Sequence, residues 1–199
     1  MAGATGVSIE SFSPVFLTNG QVYFGGKFPI EGFDGLNTRI PPEQSRRDWG
    51  TYTFSNGRGL LKMPYGEYPF RIDGNKLVIT KNQMDWSFVK MNQVDGATFN
   101  GTYTIVGAGG KISSITFTSD GRFADNGAIQ ILSHQTNDCL NPATNAGSGT
   151  YEVKDYTINF NYSDGRKFKL AFIGYDYDKS NPSPAILRMS FNDDKLIKQ

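Results

Sequence analysis

Two stretches of this chain repeat one another at a nearly fixed offset. Gly50-Thr51-Tyr52 recurs as Gly149-Thr150-Tyr151, Asn19-Gly20 recurs as Asp120-Gly121, and Gly66 has its counterpart in Gly165. Each half therefore reads as an Asx-Gly turn, a long excursion, the triplet, and a Gly-centred turn between apolar runs. Self-similarity at a fixed spacing is the mark of one structural unit used twice. The expected organisation is a flexible N-terminal segment (1–14), a single β domain (15–192) built from halves 15–98 and 99–192, and a charged tail (193–199). The stretch 93–100 between the halves is too short for a free linker, which favours one continuous barrel or two packed sheets.

The strand reading rests on period and punctuation. Tyr68-Pro69-Phe70-Arg71-Ile72 and Lys167-Phe168-Lys169-Leu170-Ala171-Phe172 alternate large apolar with other residues, the period of a half-buried strand. Five Asx-Gly pairs (Asn19-Gly20, Asn56-Gly57, Asp73-Gly74, Asp120-Gly121 and Asp164-Gly165) fall between such runs. These residues tolerate the positive φ that two-residue hairpins demand, so an antiparallel meander is expected. Candidate strands are 15–17, 21–24, 50–54, 59–63, 68–72, 76–80 and 86–91, then 101–106, 112–118, 122–124, 149–153, 157–162, 167–173 and 185–191. With 23 Gly and 9 Pro, helix is confined to short pieces at 41–49 and 128–134, each in an excursion before a triplet. A third triplet, Gly101-Thr102-Tyr103, reads as an ordinary strand after a turn, with three related strands as the alternative.

Charge and cysteine content remove several function classes. Residues 1–98 carry ten Lys/Arg against nine Asp/Glu, and 99–199 carry ten against ten. Phosphate-driven nucleic-acid binding needs a basic excess, so no nucleic-acid partner is expected. Cys139 is alone, which excludes an intramolecular disulfide. No apolar run is long enough to span a membrane as a helix, and residues 1–14 lack the basic start and apolar core of a signal peptide. The compartment stays open between the cytoplasm and export with a trimmed leader.

The pattern Ile115-Thr116-Phe117-Thr118-Ser119-Asp120-Gly121-Arg122-Phe123, then Gly149-Thr150-Tyr151, then Tyr162-Ser163-Asp164-Gly165-Arg166, resembles that of bacterial lipocalin-like (calycin-type) β-barrel proteins. The likeness lies mainly over residues 115–170. It implies an antiparallel barrel, with a cavity as its customary use, and transfers no catalytic or binding residue.

Chemistry-bearing residues are sparse. The single histidine, His134, lies five residues before Cys139, but a polar loop with a buried thiol explains that pairing better than a nucleophile does. One His and one Cys cannot complete a zinc shell, and Asp176 and Asp178 lack the rest of a calcium loop. No catalytic residue, metal or cofactor is assigned. Arg46-Arg47-Asp48-Trp49 is the cluster to watch, since guanidinium groups beside an indole hold carboxylates or stack on rings. The expected ligand-binding residues are Arg46, Arg47, Trp49, Trp86 and His134. Tyr52, Tyr103 and Tyr151 are read as structural, with rings buried and hydroxyls satisfied.

Three functional readings remain open. The first is a non-enzymatic barrel that binds an apolar or aromatic small molecule, because pockets favour barrel mouths. The second is a structural or interaction protein with a filled barrel core, working with a protein partner or as a homo-oligomer. The third is a cavity-type cyclase or isomerase using Tyr, Asp or Arg as proton handlers.

Overall fold

The computed structural model describes residues 14–24, 33, 47–90, 94–107, 110, 112–133, 146–173, 186–189 and 194–199. The described fold is all-β and antiparallel, with one short helix. Two compact units divide the chain, one within Met1–Lys27 and Asn37–Lys90, the other within Phe28–Leu36 and Met91–Gln199.

The first unit is a seven-stranded meander in chain order. Its strands are β1 (Val15–Phe16), β2 (Gln21–Tyr23), β3 (Trp49–Ser55), β4 (Arg58–Met63), β5 (Gly66–Asp73), β6 (Lys76–Lys81) and β7 (Met84–Val89). One face gathers Val22, Phe24, Leu61, Met63, Tyr68, Phe70 and Ile79, with Phe16, Tyr52, Leu77 and Phe88 at its margin.

The second unit is a closed barrel of eight strands. These are β8 (Gly101–Val106), β9 (Ile112–Thr118), β10 (Arg122–Asn126), β11 (Gly147–Lys154), β12 (Thr157–Tyr162), β13 (Lys167–Ile173), β14 (Ile186–Met189) and β15 (Asp194–Lys198), with α1 (Ala128–Ser133) between β10 and β11. Every neighbour in the ring is also a neighbour in sequence except the closing pair, β15 with β8. The sequence reading left one continuous barrel or two packed sheets open; among the described residues the closed barrel is formed by strands of the second unit. Asp194–Lys198, within the stretch expected as a charged tail, form β15. Leu196 is fully buried, and Ile197 and Lys198 pair with Thr104 and Tyr103.

The two halves share local geometry at the matched turns and triplets. Gly20 and Gly121 close equivalent turns at φ 81° and 80°, and their carbonyls accept the backbone N–H of Tyr52 and Tyr151, each at 2.9 Å. Tyr52 pairs with Leu61 across β3–β4 as Tyr151 pairs with Phe160 across β11–β12. Phe16 meets the Tyr52 ring edge-on at 5.0 Å, and Phe117 meets Tyr151 likewise at 4.9 Å. Close strand approach explains the glycine of the triplet. A Cβ on Gly50 would strike the Lys62 carbonyl, and one on Gly149 the Asn161 carbonyl. The third triplet, on β8, has no counterpart among the described residues of the first unit.

The turns correct one detail of the sequence reading. Asn56-Gly57 is a two-residue hairpin with both residues at positive φ, 50° and 77°. Asn19-Gly20, Asp120-Gly121 and Asp164-Gly165 instead end three-residue loops, with the glycine alone left-handed. At the place equivalent to Asn56-Gly57 the second unit carries Asp155-Tyr156, also at positive φ, 49° and 55°.

Side chains fill the barrel. Phe99, Tyr103, Ile115, Phe117, Ile158, Phe160, Leu170 and Phe172 are all buried to within 2% of full exclusion, as are Ile129 and Leu132 of α1. Phe99 packs on Phe117, Tyr151 and Phe172 with centroids 5.3 to 5.7 Å apart. Each fully buried aromatic of this kind contributes roughly 1.5–3 kcal/mol of transfer free energy.

Candidate functional site

The register of the first sheet brings three aromatic rings to one end of its core face. Phe70 lies opposite Ile79, and Ile79 opposite Trp86. Stepping two residues along β5 and β6 sets Tyr68 beside Lys81 on that same face, since alternate residues share a side. Tyr65 joins them from the two-residue turn that links Met63 to Gly66. At this end of the sheet the chain turns again through Asn82 and Gln83, both at positive φ (51° and 63°), and this places Lys81 at the last position of β6.

The Lys81 ammonium sits among the three rings. Its Nζ is 5.3 Å from the Trp86 centroid, 5.6 Å from Tyr68 and 5.8 Å from Tyr65. All three lie within the distance at which a ring quadrupole attracts a cation. The tyrosine rings touch at 5.8 Å between centroids, and Tyr68 is buried while Tyr65 is half-exposed, at 49%. Burial, then the Tyr68 phenol and the Asp48 carboxylate, push the Tyr65 pKa up. Asp48 itself is raised by burial, so the margin of the cluster carries a partly desolvated carboxyl.

A second polar group, in the barrel, has a structural purpose. Asp125 is 4% exposed, and burial raises its pKa against the donors around it. Its Oδ1 accepts the N–H of Ala128 at 2.7 Å and of Ile129 at 3.3 Å, which caps α1. Its Oδ2 accepts the Tyr162 hydroxyl at 2.7 Å. The Arg166 guanidinium lies 4.2 Å from the Tyr162 ring centroid, is paired with Asp164 at 2.7 Å, and donates to the Ala146 carbonyl at 2.9 Å. A buried carboxyl with a raised pKa can mark an acid–base site. Here one oxygen caps α1 and the other holds the Tyr162 hydroxyl of β12, so the network is a fastener.

Of the expected ligand residues, the structure brings one into the ring cluster, Trp86. Arg47 is exposed on the short turn before β3, and Trp49 is buried against Tyr23 at 5.4 Å. Trp49 is the first residue of β3 in the seven-stranded sheet. Arg46 and His134 fall outside the described residues, as do Cys139, Asp176 and Asp178. Tyr65, Tyr68 and Lys81 are the residues the sequence reading missed. Their signal is present in the alternation Tyr68–Phe70 and Ile79–Lys81 once β5 and β6 are paired. Tyr103 and Tyr151 are buried, and Tyr52 is partly buried at the margin of the first unit's core. The Tyr52 hydroxyl donates to the Leu17 carbonyl at 2.9 Å, and the Tyr151 oxygen accepts the Phe99 N–H at 2.6 Å.

Among the described residues no group of three or more His, Cys, Asp or Glu is placed to hold a metal, and no helix is long and apolar enough to cross a membrane. Comparison with family models, with curated proteins and with solved structures gives no match for this chain.

Proposed function

We propose that this chain is a non-enzymatic binding protein in which the closed barrel is a filled scaffold and small-molecule recognition belongs to the ring cluster of the first sheet. The observation that carries this reading is the gathering of Tyr65, Tyr68 and Trp86 around one point, with Tyr65 half open to solvent. Apolar rings with one polar fixing point are what small-ligand sites are made of. The filled barrel supports placing the ligand outside it, because Phe99, Phe117, Phe160 and Phe172 occupy the volume that a lipocalin-type carrier would give to its cargo. An eight-stranded up-and-down order is shared with lipocalins, so kinship with lipocalin-like barrels stays a proposal at the level of fold. The matched turns and ring pairs of the two units likewise support an origin by duplication.

The test is native mass spectrometry of the purified chain and its Tyr65→Ala and Trp86→Ala variants, with released small molecules identified. A ligand carried by the natural protein and lost from both variants supports the reading. A ligand retained by both variants overturns it.

One observation favours the interaction reading. Val106 and Ile112 are cross-strand partners on the outer barrel wall, and each is 66% exposed. A homo-oligomer through this wall predicts that Ile112→Asp lowers the sedimentation coefficient at high concentration. An unchanged coefficient would contradict it.

A further inference from the structure

We propose that the Tyr65–Tyr68–Trp86 cluster is a site for an organic cation of the trimethylammonium class, and that Lys81 is its internal occupant, displaced when the ligand binds. The inference rests on the ring cluster being the ligand site, and it adds the chemical class of the ligand and the mode of entry.

Three observations carry it. First, the three ring faces converge on a single cation, with distances that differ by only half an ångström: 5.3, 5.6 and 5.8 Å. Second, a primary ammonium is not the cation that aromatic rings hold best. A primary ammonium is compact and strongly hydrated, so it gives up solvation to sit among rings. A trimethylammonium group carries the same charge over a larger, weakly hydrated surface, and aromatic cages select for that. Third, Lys81 can leave without disturbing the sheet. Its backbone is fixed as the partner of Met84, while its side chain has four rotatable bonds and starts at the strand end beside the Asn82-Gln83 turn. Rotation toward water vacates the cluster, whose Tyr65 ring is half-exposed. Asp48, whose charge is felt at the Tyr65 phenol, sets a field that favours a cation and disfavours a carboxylate or phosphate ligand.

The experiment is isothermal titration of the full chain with phenyltrimethylammonium and with its neutral isostere tert-butylbenzene. Lys81→Met, Trp86→Ala and Tyr65→Ala are run alongside, each first shown to be folded by circular dichroism. Saturable binding of the cation is expected, with the neutral isostere at least roughly tenfold weaker. Lys81→Met should tighten cation binding several-fold by removing the internal competitor. Trp86→Ala should abolish binding, and if that variant does not fold, the half-exposed Tyr65→Ala serves in its place. Equal affinity for the two probes overturns the cation assignment while leaving the cluster as a ligand site. Weaker cation binding by Lys81→Met overturns the displacement. Absence of binding by either probe, to the natural protein and to Lys81→Met alike, removes both the cation assignment and the small-ligand reading beneath it.

Discussion

Gly149 and Asp125 show how single residues hold this fold. A methyl group at position 149 would meet the Asn161 backbone carbonyl, which cannot move without breaking the β11–β12 ladder. Gly149→Ala should therefore destabilise the protein by about 1–3 kcal/mol, and Gly50→Ala should act similarly through Lys62. Urea midpoints of the two variants check this; midpoints within error of the natural protein would refute it. Asp125 makes a pH prediction. Burial raises its pKa, so the folded state keeps a proton that the unfolded chain releases as pH rises past the ordinary carboxylate range. Its contribution to stability is thus fully present at low pH and falls as pH climbs through the raised value. Tyr162→Phe removes the hydroxyl donor that opposes the shift. It should cost about 1–3 kcal/mol near neutrality and steepen that fall. Stability curves from about pH 4 to about pH 7 test the sign; a variant whose stability rises with pH relative to the natural protein would contradict it. The triplet glycines were legible in the sequence because backbone crowding leaves a fixed signature. Asp125 was not, because its hydrogen-bond partner Tyr162 lies 37 residues away.

At the scale of elements, the strands were readable and their partners only partly so. Alternation and Asx-Gly punctuation locate every strand but the last. That strand, β15, hides among charges: Asp193-Asp194-Lys195 and Lys198 surround Leu196, and a short strand with one buried apolar residue has too little periodicity to stand out from a charged terminus. Closure depends on it all the same, since β15 joins β14 to β8. Deleting residues 194–199 should expose two strand edges and the Leu196 site, giving lower stability and a strong tendency to aggregate. A truncated chain with an unchanged thermal midpoint would contradict the closure. The ring cluster was half legible. Trp86 stands out by its residue type, whereas Tyr65, Tyr68 and Lys81 converge only when the β5–β6–β7 register is known.

For the whole molecule, buried phenols give an alkaline limit. Burial pushes the pKa of Tyr103 in the barrel, and of Tyr23 in the first unit, up to about 12. Folded-state values above the ordinary value of about 10 mean that stability is complete below that pH and is lost as pH rises from there toward 12. Spectroscopic titration of the phenols should show delayed ionisation coincident with unfolding; free ionisation near pH 10 in a folded protein would contradict the burial. The repeat in the sequence pointed to two similar halves, but it did not foretell that, among the described residues, the strands of the second form a closed barrel and those of the first an open sheet. Closure is decided by β8, β14 and β15, which lie beyond the matched turns. The central claim is that the barrel is a filled scaffold and the ring cluster is where a ligand binds. Aromatic and side-chain NMR of the full chain titrated with phenyltrimethylammonium tests it most directly. Shifts confined to Tyr65, Tyr68, Lys81 and Trp86, with Phe99, Phe117 and Phe160 unmoved, are the predicted result. Shifts centred on the barrel phenylalanines would contradict it.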